Sequence, residues 1–127
     1  MAIIRSFREL RAYQQTRQEA QRVFVMTQTF PKEEKFSMTD QVRRSSRAVK
    51  SMIAEAWGHR RYQAAFVSKL ADAIGEANET QSWLDDALDC GYISKAQHQD
   101  FDAAWQGIGG MINNMINKAD EFCSSAR

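Results

Sequence analysis

Residues 30–61, FPKEEKFSMTDQVRRSSRAVKSMIAEAWGHRR, decide the fold. Phe30-Pro31 ends whatever helix precedes it, because a residue before proline is pushed out of the α region. Ser37 is placed to cap a new helix with its hydroxyl, and Asp40 puts an acid in the favourable first turn. From there Met38, Val42, Ser45, Val49, Met52, Ile53 and Ala56 recur at helical spacing and fall within roughly a third of the wheel. Arg43, Arg44, Arg47 and Lys50 fall on the other side, so the spacing predicts a helix whose basic face points away from its own core. Gly58 is a natural break, and Arg60-Arg61 lies in or just after that turn.

The rest of the chain follows the same period. Phe7, Leu10, Tyr13, Ala20, Val23, Phe24 and Thr27 predict a first helix over about 7–29, with Ser6 and Glu9 as a capping box. A third helix is expected over 63–90, with a seam of Phe66, Leu70, Ala73, Ala77, Leu84, Ala87 and Leu88, stopped by Gly91. Its polar face carries Asp72, Glu76, Glu79, Asp85, Asp86 and Asp89, while Val67 and Trp83 lie off the seam as an edge of the core or a subunit contact. Ser94 caps a fourth helix, where Phe101, Trp105, Ile108, Ile112, Met115, Ala119 and Phe122 lie almost in line. Met111 and Ile116 widen that stripe to roughly 140°, and oligomerisation could cover the excess. Gly107, Gly109 and Gly110 sit inside this pattern with no strand before them, so close helix packing or a local bend explains them better than a phosphate loop. With one proline and no period-2 segment, the chain reads as all-α, a single domain over 1–127 arranged as an antiparallel up-down four-helix bundle.

Composition narrows the class. The 127 residues are 43% hydrophobic and 26% charged, ordinary for a soluble domain, and the apolar runs are far below the roughly 20 residues a spanning helix needs. The segment MAIIRSFREL lacks a signal-peptide pattern, and Cys90 and Cys123 are too few for a disulfide framework, so a reducing cytoplasm is the expected location with no membrane association. The net charge of +1 conceals a division: residues 1–62 hold 13 Lys/Arg against 6 Asp/Glu, and residues 63–127 hold 4 against 10. Such asymmetry suits either a polyanion site or pairing between the halves, within a chain or between chains.

No catalytic constellation stands out. The Glu-x-x-His pairs of di-iron bundles do not occur, because Gly58 follows Glu55 and Glu79 follows Glu76 at that spacing. Glu55 and His59 at i and i+4 read as a surface or cap pair, and neither His59 nor His98 has a second ligand close by in the sequence for zinc. The serines read as caps or small seam residues. No enzyme activity, metal or cofactor is expected.

The residues do carry a resemblance. FRELRAYQ at 7–14, FPKEEKFSMTDQVRRSSRAV at 30–49, IAEAWGHRR at 53–61 and LDCGYIS at 88–94 occur in order across most of the chain. Together they resemble the family of four-helix bundle proteins encoded in intervening sequences of bacterial 23S ribosomal RNA genes. That family reads F-R-x-L near its start, F-P-x-x-E before the second helix, Q-x-R-R-A within it and N-I-A-E-G at its end. This chain departs where Met52 and Ala56 replace the usual Asn and Gly, and around Ile74-Gly75 where a Gly-Ser pair is common. The resemblance implies an antiparallel bundle that assembles with itself, typically as a homopentamer, without catalytic activity. A related branch implies a further role, as the accessory protein of diversity-generating retroelements, in which a basic pentamer binds nucleic acid and a reverse transcriptase.

Two functional readings follow. In one, Arg43, Arg44, Arg47, Lys50, Arg60 and Arg61 contact the phosphates of RNA or DNA, with Tyr62 or Trp57 stacking on unpaired bases. In the other, the same arginines pair with the acidic face of the third helix, in the same or a neighbouring subunit, and the protein is an interaction module.

Overall fold

A computed structural model describes residues 3–124, and the outermost residues of the expected domain, 1–2 and 125–127, lie outside the described residues. The described chain is all-helical: α1 Arg11–Thr27, α2 Met38–Gly58, α3 Gln63–Asp89, α4 Lys95–Asn117 and a short α5 Ala119–Ser124, with no strand among the described residues. Helix α1 packs on α2 and α4, and α3 packs on α2, α4 and α5.

The helix boundaries follow from local chemistry, with three departures from expectation. The capping box at Ser6 and Glu9 forms, but it starts only a 3-10 turn over Phe7–Glu9, because Leu10 is extended (φ −67°, ψ 129°). Helix α1 therefore begins at Arg11, a turn later than the periodicity suggests. At α2, Ser37 does not cap with its hydroxyl; it donates instead to Glu34 Oε1 at 2.6 Å, and the Glu34 carboxylate also accepts from the backbone N–H of Met38. The cap is thus supplied by a carboxylate three residues earlier, where its charge also suits the positive end of the helix. At the far end, the line through Met115 to Phe122 is interrupted at Lys118 (φ −106°, ψ 23°), and Ala119 restarts as α5.

Two expectations hold closely. Helix α3 ends in a Schellman turn, with Tyr92 N–H on Ala87 C=O and Gly91 N–H on Leu88 C=O, both 2.9 Å, and Gly91 at φ 75°. Ser94 and Gln97 form the capping box of α4.

The buried apolar side chains make one cluster drawn from every helix, with Val23, Val49, Ile53, Phe66, Leu70, Leu84, Trp105, Ile108 and Ile112 fully enclosed. Burying each large aliphatic or aromatic side chain contributes about 1.5–3 kcal/mol relative to exposure. Val67, Trp83, Met111, Ile116 and Phe122 are half-buried and pack against this cluster, Val67 and Trp83 at its edge with part of each side chain left exposed. Polar atoms inside are mostly paired: Ser45 and Thr80 join α2 to α3 through a 2.8 Å hydroxyl bond, and Thr80 donates on to Glu76 C=O. Close packing does not explain the glycines of α4, because a Cβ added at Gly107, Gly109 or Gly110 would meet nothing within 4 Å.

Candidate nucleic-acid interface

The basic residues of α2 do not share one undivided face. Along the helix Arg43 and Arg47 turn toward α1, and Arg44 turns toward α3. Arg43 is half-buried: its Nε donates to Thr27 Oγ1 at 2.7 Å and its guanidinium lies 4.6 Å from the centroid of Phe24. Arg47 stands over the same ring at 5.5 Å. Phe24 is therefore not a core residue as its spacing suggests; it is half-buried and serves as a platform whose π-face holds two cations in place.

Arg44 is the residue that the acidic helix claims. It pairs with Glu76 at 3.4 Å and with Glu79 in a short charged contact, and its Nε reaches Gln41 Oε1 at 3.3 Å. Burial acts to lower its pKa, but the hydrogen bonds and charges of the two carboxylates outweigh that and raise it. The expected pairing of halves is thus realised within one chain for Arg44, whereas Asp72 forms no ion pair among the described residues.

Arg43, Arg44 and Arg47 line an open groove of about 730 Å³ together with Lys35, Asp40 and Phe36. Lys35 and Phe36 were not singled out by sequence reasoning because they precede the periodic segment; the turn folds them back beside the helix. Lys50 is half-buried and has no ion pair among the described residues. Arg60 and Arg61 are not part of the groove: they follow the end of α2 at Gly58, about three helical turns beyond Arg47. Arg60 donates from Nε to Trp57 C=O at 2.9 Å and covers the Trp57 ring at 3.4 Å, and burial lowers its pKa. Arg60 thus covers one face of Trp57, while Tyr62 is 66% exposed at the start of α3.

A second cation, Arg22 of α1, spans to α4. It bonds Glu19 at 2.6 Å, makes a short contact with Asp100, and lies 4.5 Å from the centroid of Phe101. Burial opposes its charge and the two carboxylates restore it, for a net raised pKa. The reading that neither histidine has a nearby ligand fails for His98: its Nε2 is 2.8 Å from Asp85 Oδ1, and Asp102 brings a third ligand atom, all within 4.8 Å of one another. Asp102 is one turn beyond His98, and Asp85 comes from α3, a juxtaposition that only folding creates. The Asp85 side chain is 66% exposed, and its hydrogen bond with His98 joins α3 to α4. Among the described residues no helix is long and apolar enough to cross a membrane.

Comparison with known proteins agrees with this geometry. A crystal structure of a protein of unknown function from the S23 ribosomal protein family of Bacteroides thetaiotaomicron VPI-5482 superposes with a TM-score of 0.75 at 27% identity, covering 84% of this chain and 95% of that one. No curated protein matches the sequence. The family model of the 23S rRNA-intervening sequence protein matches residues 8–114, which include α1 to α3, the groove and nearly all of α4, and the chain belongs to that family.

Proposed function

We propose that this chain is a non-enzymatic, cytoplasmic, single-domain antiparallel up-down bundle that associates with itself, as a homopentamer by family expectation, and binds the phosphate backbone of RNA or DNA along α2. The observation that carries the reading is the groove in which Lys35, Arg43 and Arg47 converge with their charges free of any ion pair among the described residues. Arg43 and Arg47 are already ordered on Phe24, so a phosphate meets cations whose side-chain entropy is partly spent before binding. Phosphate contacts of this kind hold a strand without reading its sequence. Arg44 contributes less, because Glu76 and Glu79 offset its charge.

The test is fluorescence anisotropy with single-stranded and hairpin RNA over a range of salt. Binding that weakens steeply with salt and is lost in Arg43→Glu and Arg47→Glu supports the proposal. Absence of binding at low salt, or indifference to both reversals, refutes it.

The pairing of Arg44 with Glu76 and Glu79 inside the chain shows that the basic and acidic faces are complementary, and this supports a second reading, an interaction module such as a reverse transcriptase accessory in which the remaining charges of those faces meet between subunits. There, Arg43→Glu with Arg47→Glu would lower the mass measured by light scattering, and reversing Asp72 or Glu76 would partly restore it.

A further inference from the structure

We propose that Phe36 is a base-stacking residue that makes this groove select single-stranded over double-stranded nucleic acid, an inference that rests on the phosphate-binding reading above. At 86% exposure Phe36 is, among the described residues, the most exposed of the large hydrophobic side chains, above Ile3 at 77% and Tyr62 at 66%. It lines the groove that holds Arg43 and Arg47, and the Lys35 ammonium lies 5.4 Å from its ring centroid. An aromatic ring beside ordered cations is the combination that single-strand sites use, with stacking on the base and ion pairing on the backbone.

The ring stands on a fixed support. Lys35 N–H bonds Lys32 C=O at 3.1 Å, Ser37 N–H bonds Glu34 C=O at 3.0 Å, and Glu34 is tied in turn to Ser37 and Tyr92 at 2.6 and 2.8 Å. A ring carried on such a turn loses little freedom when a base settles on it. Its exposure costs the folded protein apolar burial that any interior position would have supplied. Duplex bases are stacked on one another and offer a face only at the ends, so the ring gains nothing from a helix while the arginines bind either form.

The experiment compares the full chain with Phe36→Ala and Phe36→Trp, using a fluorescein-labelled single-stranded RNA oligonucleotide and the blunt duplex of the same sequence, with masses measured by light scattering. The expected result is that wild type prefers the single strand, that Phe36→Ala weakens it about 5- to 150-fold with an unchanged salt slope, and that Phe36→Trp retains it. Duplex affinity should stay within about twofold in both variants, since backbone contacts are untouched. If Phe36→Ala binds the single strand as well as wild type, stacking is refuted and the phosphate-binding reading stands. Failure of wild type to bind either probe at low salt overturns both. A fall in mass with equal loss of both probes assigns Phe36 to a contact between copies of the chain and overturns the stacking role.

Discussion

Tyr92 donates a 2.8 Å hydrogen bond to Glu34, joining the connection after α3 to the one before α2 across 58 residues of sequence. The rings of Phe30 and Tyr92 meet at 5.4 Å beside it. Glu34 at the same time accepts from Ser37 Oγ and Met38 N–H, so one carboxylate caps α2 and ties down the next-but-one connection. The hydrogen bonds of Ser37 and Tyr92 hold Glu34 below its ordinary pKa, and donating that bond to the carboxylate pushes Tyr92 up to about 12.

This pair should make stability sensitive to pH at both extremes. Glu34, with a lowered folded pKa, contributes above the ordinary carboxylate range, and the contribution is lost as pH falls through its folded value. Tyr92, with a raised one, contributes fully below about pH 10 and loses the contribution as pH rises through about 12. Tyr92→Phe is expected to lower the urea midpoint at neutral pH, with the difference from wild type shrinking toward both extremes. Ultraviolet titration should show that the phenolate signal removed by the substitution is the one near 12.

The glycines should divide by backbone geometry. Gly110 and Gly75 are helical with no atom within 4 Å of an added Cβ, so Gly110→Ala and Gly75→Ala should each stabilise by about 0.5–1 kcal/mol. Gly91 has the same open space but φ 75°, and Gly91→Ala should destabilise by about 1–2 kcal/mol. Denaturation of the three variants checks the signs. A loss of stability in Gly110→Ala, accompanied by a lower mass in light scattering, would mean that another copy approaches that face.

Ser45 and Thr80 are both fully buried, yet each keeps a backbone acceptor when the other is removed. Ser45→Ala should therefore cost about 0.5–1.5 kcal/mol, without the larger penalty of an orphaned hydroxyl. A double-mutant cycle with Thr80→Val should return a coupling of about 0.5–1 kcal/mol. Coupling near zero would mean that the hydroxyls do not interact.

Arg44 is half-exposed, and its contacts with Glu76 and Glu79 are correspondingly screened by solvent. Arg44→Ala should cost at most about 1 kcal/mol, with the loss smaller in high salt. Arg43→Ala should cost more and depend less on salt, because it strips a cation from Phe24 and a donor from buried Thr27. Urea denaturation at two salt concentrations separates the two.

The helices were readable because their causes are local. Phe30-Pro31, Gly91 and Ser94 mark boundaries through backbone chemistry that needs no distant partner, whereas Gly58 is the last helical residue of α2 and His59 is its C-cap; the seams of α2 and α3 are buried almost position by position. The misjudged caps show where local rules compete. Ser37 has a suitable hydroxyl, but Glu34 offers a charged acceptor that takes both the Ser37 hydroxyl and the Met38 N–H.

By itself the sequence determined an all-helical chain, its family and the presence of a basic second helix, since period, capping and motif order are properties of neighbouring residues. Only the tertiary structure decided which of those charges remain available. Arg44 is drawn to α3, Arg43 and Arg47 rest on Phe24 of α1, Arg60 covers Trp57, and Phe36 is left in the open. Helical spacing fixes the direction in which a side chain leaves its own helix, but its partner depends on what the adjacent helices bring to that place.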